Sequence, residues 1–442
     1  ISEMMTASSA SEFLDGVETL RTINQNWTVA DLEGTIAWYP HGAIPNRTFT
    51  DEYSNWIALP GGGAAEWEGF LASSDIPQMV DPPNGFIATA NNDFDGSYTD
   101  GDATNDGHIP WQAPPAYGHR HKRIVDLITA RDDHDLASMK EIQSDTYSLH
   151  GELLAPEIAT IGRNHEGQLS AEAITVIEAL ENWDYTCPSG LDGTDPRLAS
   201  PVADEDELTA SQGCAAFHVM LPYLTDEIFG DELQDVEEWS ALANWLNLQD
   251  ALIYIFDSPS ELNNTTDYFD NVNTAGTTES KADVVVATLE TVATQMEEFY
   301  GSTSRDDWLW GRIHTVSLLS FFMEIDIDIF NEGPYVNDGG FFTVDVANPR
   351  GRSGNFEDNL NKVDYPFAHP NGPSCRLVME ATDDGFDAEF QLPGGQVPTD
   401  RNSQWFNSLM DKWLSNTHSD LLFERSAVDA AAVETIEVRP AE

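Results

Sequence analysis

The sequence predicts an α+β protein, with β structure near both ends of the chain and helices in the middle. Residues 26–39 alternate apolar and polar side chains around a Glu-Gly pair, which is the pattern of a β-hairpin. From about Arg120 onward, apolar side chains recur at spacings of three and four residues, which is typical of amphipathic helices. Residues 374–381 and 386–392 have the composition of two strands joined by a short turn. Because strands occur near both ends, we expect the two ends to share one sheet system.

The remaining elements follow in chain order. Residues 8–23 predict an amphipathic helix with a serine near its start. Residues 40–83 are rich in loop-forming residues, and long irregular segments of this kind often form the wall of a binding site. The first helical pattern of the middle region starts near Leu136 and is expected to end at Pro156.

The chain is long enough to form more than one core, because a single core usually stops growing at ~250–300 residues. We predict three regions in its 442 residues. Residues 1–118 form part of a β-rich core, residues 119–330 are helical, and residues 331–442 are a mixed region that returns to the core. In the last region, a helix around Trp405 to Trp413 precedes a short terminal strand.

The charge of the chain excludes several partners. It has 77 acidic residues against 20 Lys and Arg, which gives a formal net charge of −57. Such a surface repels nucleic acid and anionic membranes, and it is suited to a saline setting in which salt screens the self-repulsion. No segment approaches the ~18 consecutive apolar residues that a membrane-spanning helix needs.

The three cysteines show no closely spaced pair of the kind that binds zinc. Cys187 and Cys214 flank a polar loop, and two interpretations are open. They form a disulfide if the chain is located outside the cytoplasm, or they are buried free thiols.

Residues 81–92 are the most informative stretch for function. Two prolines and an Asn-Gly pair predict a turn, and Phe86 to Ala90 predict a short buried strand. Asn91 and Asn92 follow directly. A carboxamide at a strand end is either an ordinary turn residue or a neutral donor for an oxyanion hole.

An acidic loop follows at residues 93–107, where Asp, Asn, Ser and Thr alternate with glycines. Oxygen-bearing side chains of this kind are the ligands that calcium prefers. The spacing does not match an EF-hand loop, because Tyr98 occupies the place of its glycine. The loop is either a calcium site or a solvated acidic loop.

A set of short motifs in a particular order carries a resemblance to a known family. The motifs are Asn26-Trp27, Ala30-Asp31, Gly34, Pro45 with Arg47, residues 82–92, Arg120 with Arg123-Ile124, Trp310-Gly311 with His314, Gly372-Pro373-Ser374 with Arg376, residues 392–396, and Trp413. In this order they resemble the penicillin acylase family of N-terminal-nucleophile hydrolases. The resemblance extends from about residue 13 to about residue 428 and corresponds to the larger C-terminal part of the catalytic subunit.

The resemblance implies a four-layer αββα core with a helical insertion, and hydrolysis of the amide bond of a small acyl-amide substrate. In that family an N-terminal Ser attacks the carbonyl, and its own α-amine acts as the base. Asn91 matches the family's oxyanion-hole Asn, which acts together with a backbone N–H. Arg120 matches an arginine that fixes the site, although an ion pair within an acidic protein is an alternative role.

The resemblance also implies a structural Ca²⁺ ion and a partner chain. Asp102 lies nearest the position of a calcium-binding Asp, Asp95, Asp100 and Asp106 are alternatives, and Tyr53 lies near a backbone ligand. The chain begins with Ile1, so we expect an upstream acylase chain to carry the nucleophilic Ser and the remaining ligands. The location implied is periplasmic or extracellular. The alternative is a non-catalytic secreted protein that keeps the fold as a calcium-binding scaffold.

Overall fold

The chain forms two compact units in the computed structural model. The ranges described are 2–20, 25–50, 52–53, 58–94, 115–234, 245–257, 267–320, 331–349, 365–370, 372–382, 385–397 and 400–436, with residues 96 and 242. The N-terminal unit comprises residues 1–136, 379–388 and 420–442, and the helical unit comprises residues 137–378 and 389–419. The three predicted regions are consecutive stretches of the chain, whereas these two units group residues by their contacts. The division into three regions therefore stays a prediction.

The N-terminal unit begins with helix α1 (Ala10–Glu18), which confirms the helix predicted within residues 8–23. Ser9 has an extended backbone, and its hydroxyl accepts a hydrogen bond from the Glu12 N–H at 3.2 Å. A cap of this kind stabilises a helix by about 1 kcal/mol. The helix buries Val17 in a small apolar cluster with Tyr39 and Ile76.

The predicted hairpin is confirmed as strands β1 (Gln25–Ala30) and β2 (Ile36–His41), which pair in antiparallel register. Strand β3 (Met79–Val80) adds to the other edge of β2, so the order is β1-β2-β3. The unit also contains α2 (His119–Thr129).

The predicted strand at Phe86–Ala90 is wrong, because these described residues belong to no ladder. The predicted turn before them is present, since Gly85 N–H donates to the Pro82 carbonyl at 2.9 Å. The reason lies at Asp81, whose φ of 45° turns the chain away from the sheet. Its N–H and carboxylate also bond to the backbone of Ile36 at 2.9 and 3.0 Å, which ends the β2–β3 ladder.

The helical unit is built around one long buried helix, α6, which confirms the helical pattern in the middle of the chain. The helices of this region are α3 (Leu136–Gln143), α4 (Leu149–Asn164), α5 (Ala171–Glu181), α6 (Glu205–Leu233), α7 (Gln249–Asp257) and α8 (Lys281–Tyr300). Helix α6 is buried along most of its length, so apolar side chains occupy all its faces. No described helix has the combination of length and apolar composition that crossing a membrane requires.

The predicted end of the first helix at Pro156 is wrong. A new helix, α4, starts after Ser148, whose hydroxyl accepts a hydrogen bond from Gly151 N–H at 3.0 Å, and Pro156 lies inside it. An interior proline costs about 3 kcal/mol. Burial of Leu154 and Ile158 on either side offsets this cost.

Strands near the C-terminus are also confirmed. Strands β8 (Arg376–Thr382), β9 (Gly385–Gln391) and β10 (Ser419–Asp420) form a sheet in the order β10-β9-β8. This sheet has no ladder with β1-β2-β3 among the described residues. The other elements are the strand pairs β4 (Leu191–Asp192) with β5 (Ser200–Pro201) and β6 (Thr315–Leu318) with β7 (Glu332–Val336), and the helices α9 (Met410–Leu414) and α10 (Arg425–Ala431).

The structure confirms the first interpretation of Cys187 and Cys214, which form a disulfide. Cys187 and Cys214 are bonded, with Cα atoms 5.3 Å apart, and both are fully buried. Cys375 is a free, exposed thiol. The bond joins the loop after α5 to the buried helix α6.

Candidate active site

Asn91 has an unusual backbone conformation at the end of the 81–92 stretch. Its φ is 59°, which lies in the left-handed region that Asn tolerates better than most residues. The preceding Ala90 is 5% exposed, whereas Asn91 itself is exposed. The carbonyl of Asn91 accepts a hydrogen bond from Ala116 N–H at 2.7 Å. The backbone is therefore held while the carboxamide points away from the interior.

Arg120 orients the Asn91 carboxamide. Its Nη2 donates to Asn91 Oδ1 at 2.9 Å and to the carbonyl of Ala90 at 3.0 Å. A guanidinium can only donate, so the oxygen and not the nitrogen of the carboxamide must face it. The Nδ2 group then faces the other way, and the described residues provide no acceptor for it. The arrangement is a fixed, accessible N–H donor.

The neighbouring Asn92 has a different role. It is 7% exposed, its Oδ1 accepts from Ala90 N–H at 3.0 Å, and its Nδ2 donates to the Asp93 carbonyl at 3.0 Å. These bonds hold the turn that presents Asn91. The two adjacent carboxamides are thus divided, one supporting the backbone and the other available to a ligand.

The first turn of α2 adds positive potential at Arg120. It carries no acidic residue, and the N-terminal end of a helix has a partial positive charge. Burial lowers the pKa of His119 to about 4, so this imidazole is neutral at pH 7. Burial also lowers the pKa of Arg120, but its ordinary value is so high that the guanidinium stays charged.

Sequence analysis did not single out the run of basic residues that contains Arg120. The signal was available, because residues 119–123 are five consecutive His, Arg or Lys residues in a chain with only 20 Lys and Arg. Basic residues are scarce in this protein, so a cluster of them is a signal that the sequence offers.

The calcium prediction falls mainly outside the described residues. Asp95, Asp100, Asp102 and Asp106 all lie there, and of the predicted ligands only Tyr53 is described. Tyr53 N–H donates to the Phe49 carbonyl at 2.9 Å. Among described residues, the one group with the spacing of a metal site is Cys187, Cys214 and His218, and its two thiols form the disulfide. Calcium binding therefore stays a prediction.

Comparison with known proteins gives the class of fold. Thermostable penicillin G acylase from Alcaligenes faecalis superposes with a TM-score of 0.61 at 14% identity, over 99% of this chain and 71% of that one. The predicted fold class, α+β of the N-terminal-nucleophile hydrolase type, is confirmed by this likeness.

Sequence comparison gives the family. A sequence model of the family named Penicillin amidase matches residues 1–430, and the chain belongs to this family. Penicillin acylase 2 proenzyme from Pseudomonas sp. (strain SE83) is 27% identical over 191 residues, which are 43% of this chain and 23% of that protein. Acyl-homoserine lactone acylase QuiP from Pseudomonas aeruginosa is 26% identical over 322 residues, 71% of this chain and 34% of that protein. The chain thus spans about a quarter to a third of the length of these curated relatives.

Proposed function

We propose that this chain forms the oxyanion-stabilising part of an amidohydrolase site that cleaves the amide bond of a small acyl-amide substrate. The observation that carries the proposal is the Asn91 carboxamide, whose oxygen is held by Arg120 at 2.9 Å. Its N–H group is oriented before substrate binds. A donor fixed in advance stabilises developing charge without reorganising during the reaction.

The proposed reaction is attack of a Ser hydroxyl on the amide carbonyl, with the α-amine of the same Ser taking the proton. An α-amine has a pKa of ~7.7–8.0, which suits a base at neutral pH. As the carbonyl oxygen becomes negative, Asn91 Nδ2 donates to it together with a backbone N–H. Arg120 acts by positioning Asn91 and by its charge, which the α2 N-terminus reinforces. The acyl-enzyme formed with loss of the amine is then hydrolysed by water.

The nucleophilic Ser is proposed to come from an upstream acylase chain. Two observations support this upstream chain: the family model matches residues 1–430, and this chain covers only 34% of the length of QuiP. The names of the relatives, a penicillin acylase and an acyl-homoserine lactone acylase, support acyl amides as the substrate class. A small uncharged or weakly charged amide also suits a surface with net charge −57 better than a polyanion does.

We further propose that the site works outside the cytoplasm and with a structural Ca²⁺ near the acidic loop after Asn92. The Cys187–Cys214 disulfide supports the location, because disulfides persist in oxidising compartments. The oxygen-rich composition of residues 93–107 supports the ion.

The test is Asn91→Gly in the assembly that carries the upstream Ser. Glycine accepts the positive φ of this position, so the variant should fold, whereas it removes the amide donor. Removing one oxyanion donor typically lowers kcat by about 10²–10³-fold. Turnover of p-nitroanilides of acyl groups of graded length measures the effect, and a thermal melt checks folding.

Asn84→Ala is the matched control, because Asn84 is an exposed carboxamide in the turn of the same stretch. We expect its kcat to stay within about twofold of the parent. Equal turnover by Asn91→Gly and the parent would remove Asn91 from the mechanism. An intact assembly that hydrolyses none of the amides would favour the non-catalytic scaffold instead.

A further inference from the structure

The helical unit contains a cavity whose lining includes neither Asn91 nor Arg120. Its volume is about 310 Å³, which is at the small end of the range for small-molecule sites. The residues that line it are Thr194, Asp195, Arg197, Asn331 to Tyr335, Arg401, Phe406 and Asn407. All are described, and all belong to the helical unit.

A buried carboxylate lines this cavity. Glu332 is 8% exposed, and its Oε2 accepts no hydrogen bond from the described residues. A buried polar atom without a partner is unfavourable, and more so when it is charged. Burial accordingly raises the pKa of Glu332, against the opposing effect of the Arg401 charge. This oxygen is therefore an acceptor that a bound donor would satisfy.

Two guanidinium groups line the same cavity. Arg197 is held in a fork on Asp195, with Nε and Nη2 at 3.1 and 3.0 Å from the two carboxylate oxygens. Arg401 lies over the ring of Phe406, 5.4 Å from its centroid, and donates to the Asn331 carbonyl. Arginine matches the geometry of a carboxylate ligand better than any other side chain.

The charges of the lining are balanced, which is unusual for this chain. Asp195 and an ionised Glu332 offset Arg197 and Arg401, whereas the whole chain carries 77 acidic against 20 basic residues. A bare cation would be repelled by the guanidiniums, and a bare anion would be repelled by the carboxylates. A ligand that carries both charges, with its donor end at the buried carboxylate, complements both.

We propose that this cavity binds a small zwitterion of the amino-acid type, with its ammonium group on Glu332 and its carboxylate on Arg401. Tyr335 and Asn407 line the cavity beside them and provide neutral hydrogen-bonding groups. The site differs from the proposed hydrolytic site in its residues and does not depend on the upstream Ser. Ligand binding at this cavity can therefore be measured on the chain alone, independently of hydrolytic activity.

The experiment is isothermal titration calorimetry of the full chain with glycine, L-serine and L-glutamine as probes. Acetate and methylammonium are the two half-ligands. We expect saturable heat with at least one amino acid, and binding at least tenfold weaker for each half-ligand, because each loses one charged contact. Absence of saturable heat with all three amino acids, or an equal affinity for acetate or methylammonium alone, would overturn the proposal.

Two variants assign the contacts. Glu332→Gln keeps the shape and avoids a buried charge, so it should fold, and we expect it to weaken amino-acid binding about tenfold or more. Arg401→Gln should do the same through the carboxylate end. Glu178→Gln and Arg425→Gln are exposed controls that should bind as the parent does. Unchanged binding in both Glu332→Gln and Arg401→Gln would refute the site.

Discussion

Polar side chains are used in opposite ways around Asn91 and in the buried core of the helical unit. Asn91 is exposed, has a positive φ, and offers a donor with no acceptor in the described residues. In the helical unit, four aromatic rings form a stack in which each is 1% exposed or less: His218, Trp310, His314 and His369. We call this group the histidine–tryptophan stack. Its members serve stability, whereas the strain and the available donor at Asn91 are features of a functional site.

The rings of the stack pack closely, and three of them make hydrogen bonds to backbone groups around the stack. The ring of Trp310 lies 4.4 Å from that of His314 at an interplanar angle of 9°, and 4.6 Å from that of His218. The indole N–H of Trp310 donates to the Gly339 carbonyl at 2.7 Å. The ring of His369 continues the stack at 4.7 Å from His314.

The largest expected effect is on stability, from Trp310→Ala. Removing a fully buried indole leaves a cavity and takes away the donor of the Gly339 carbonyl. We therefore expect a loss of about 3–5 kcal/mol in the free energy of unfolding. Urea denaturation followed by far-UV circular dichroism measures it. Trp405→Ala, at an indole that is 47% exposed in the same unit, should change stability by less than about 1 kcal/mol. Similar losses in both variants would show that the stack is not the centre of stability.

The second prediction concerns the loss of stability at low pH. His218 donates from Nδ1 to the Cys214 carbonyl at 2.9 Å and accepts at Nε2 from Phe341 N–H at 2.9 Å, so both ring nitrogens are used by the neutral form. Burial lowers the pKa of His218 to about 4 and holds the pKa of His314 well below its usual value. The unfolded chain, with a histidine pKa of ~6.5, binds these protons first as the pH falls.

The stabilising contribution of neutral His218 is therefore complete above about pH 6.5 and is lost as the pH falls towards about 4. The depression corresponds to about 3 kcal/mol, as an order of magnitude. We expect the free energy of unfolding of His218→Gln to fall less between pH 7 and pH 4.5 than that of the parent. The two proteins carry the same carboxylates, so the difference between their pH profiles reports His218 together with its effect on the pKa of His314. Parallel pH profiles would show that His218 is not kept neutral by burial.

The sequence predicted local structure best where a repeating pattern of several side chains decides it. The helix α1, the hairpin β1–β2 and the strands β8 and β9 depend on periodicity and on turn residues, and these are visible in the sequence. The two errors, at Phe86–Ala90 and at Pro156, depend on specific contacts that periodicity does not show. The hydrogen bonds between Asp81 and Ile36 end the sheet, and the cap at Ser148 together with burial allows a proline inside α4.

The residues of the candidate site and the roles of Asn91 and Arg120 could be predicted from the resemblance, but the role of Asn92 could not. Motif order selected Asn91 and Arg120, and the structure places their side chains 2.9 Å apart. The supporting role of Asn92 depends on its hydrogen bonds to the backbone of Ala90 and Asp93, which the sequence does not show. The Glu332 cavity was also not predictable, since its residues come from three distant segments of the chain.

The smallest expected effect compares one substitution, Gly→Ala, in the two units. Gly85 has a φ of 77°, Gly167 has an ordinary φ, and a Cβ at either position would meet nothing within 4 Å. Only backbone conformation therefore distinguishes them. Gly85→Ala should lose about 1 kcal/mol, because an L side chain is strained at positive φ, and Gly167→Ala should gain about 0.4–1 kcal/mol by restricting the unfolded chain. Urea denaturation measures both, and equal changes would mean that the turn leading to Asn91 holds no backbone strain.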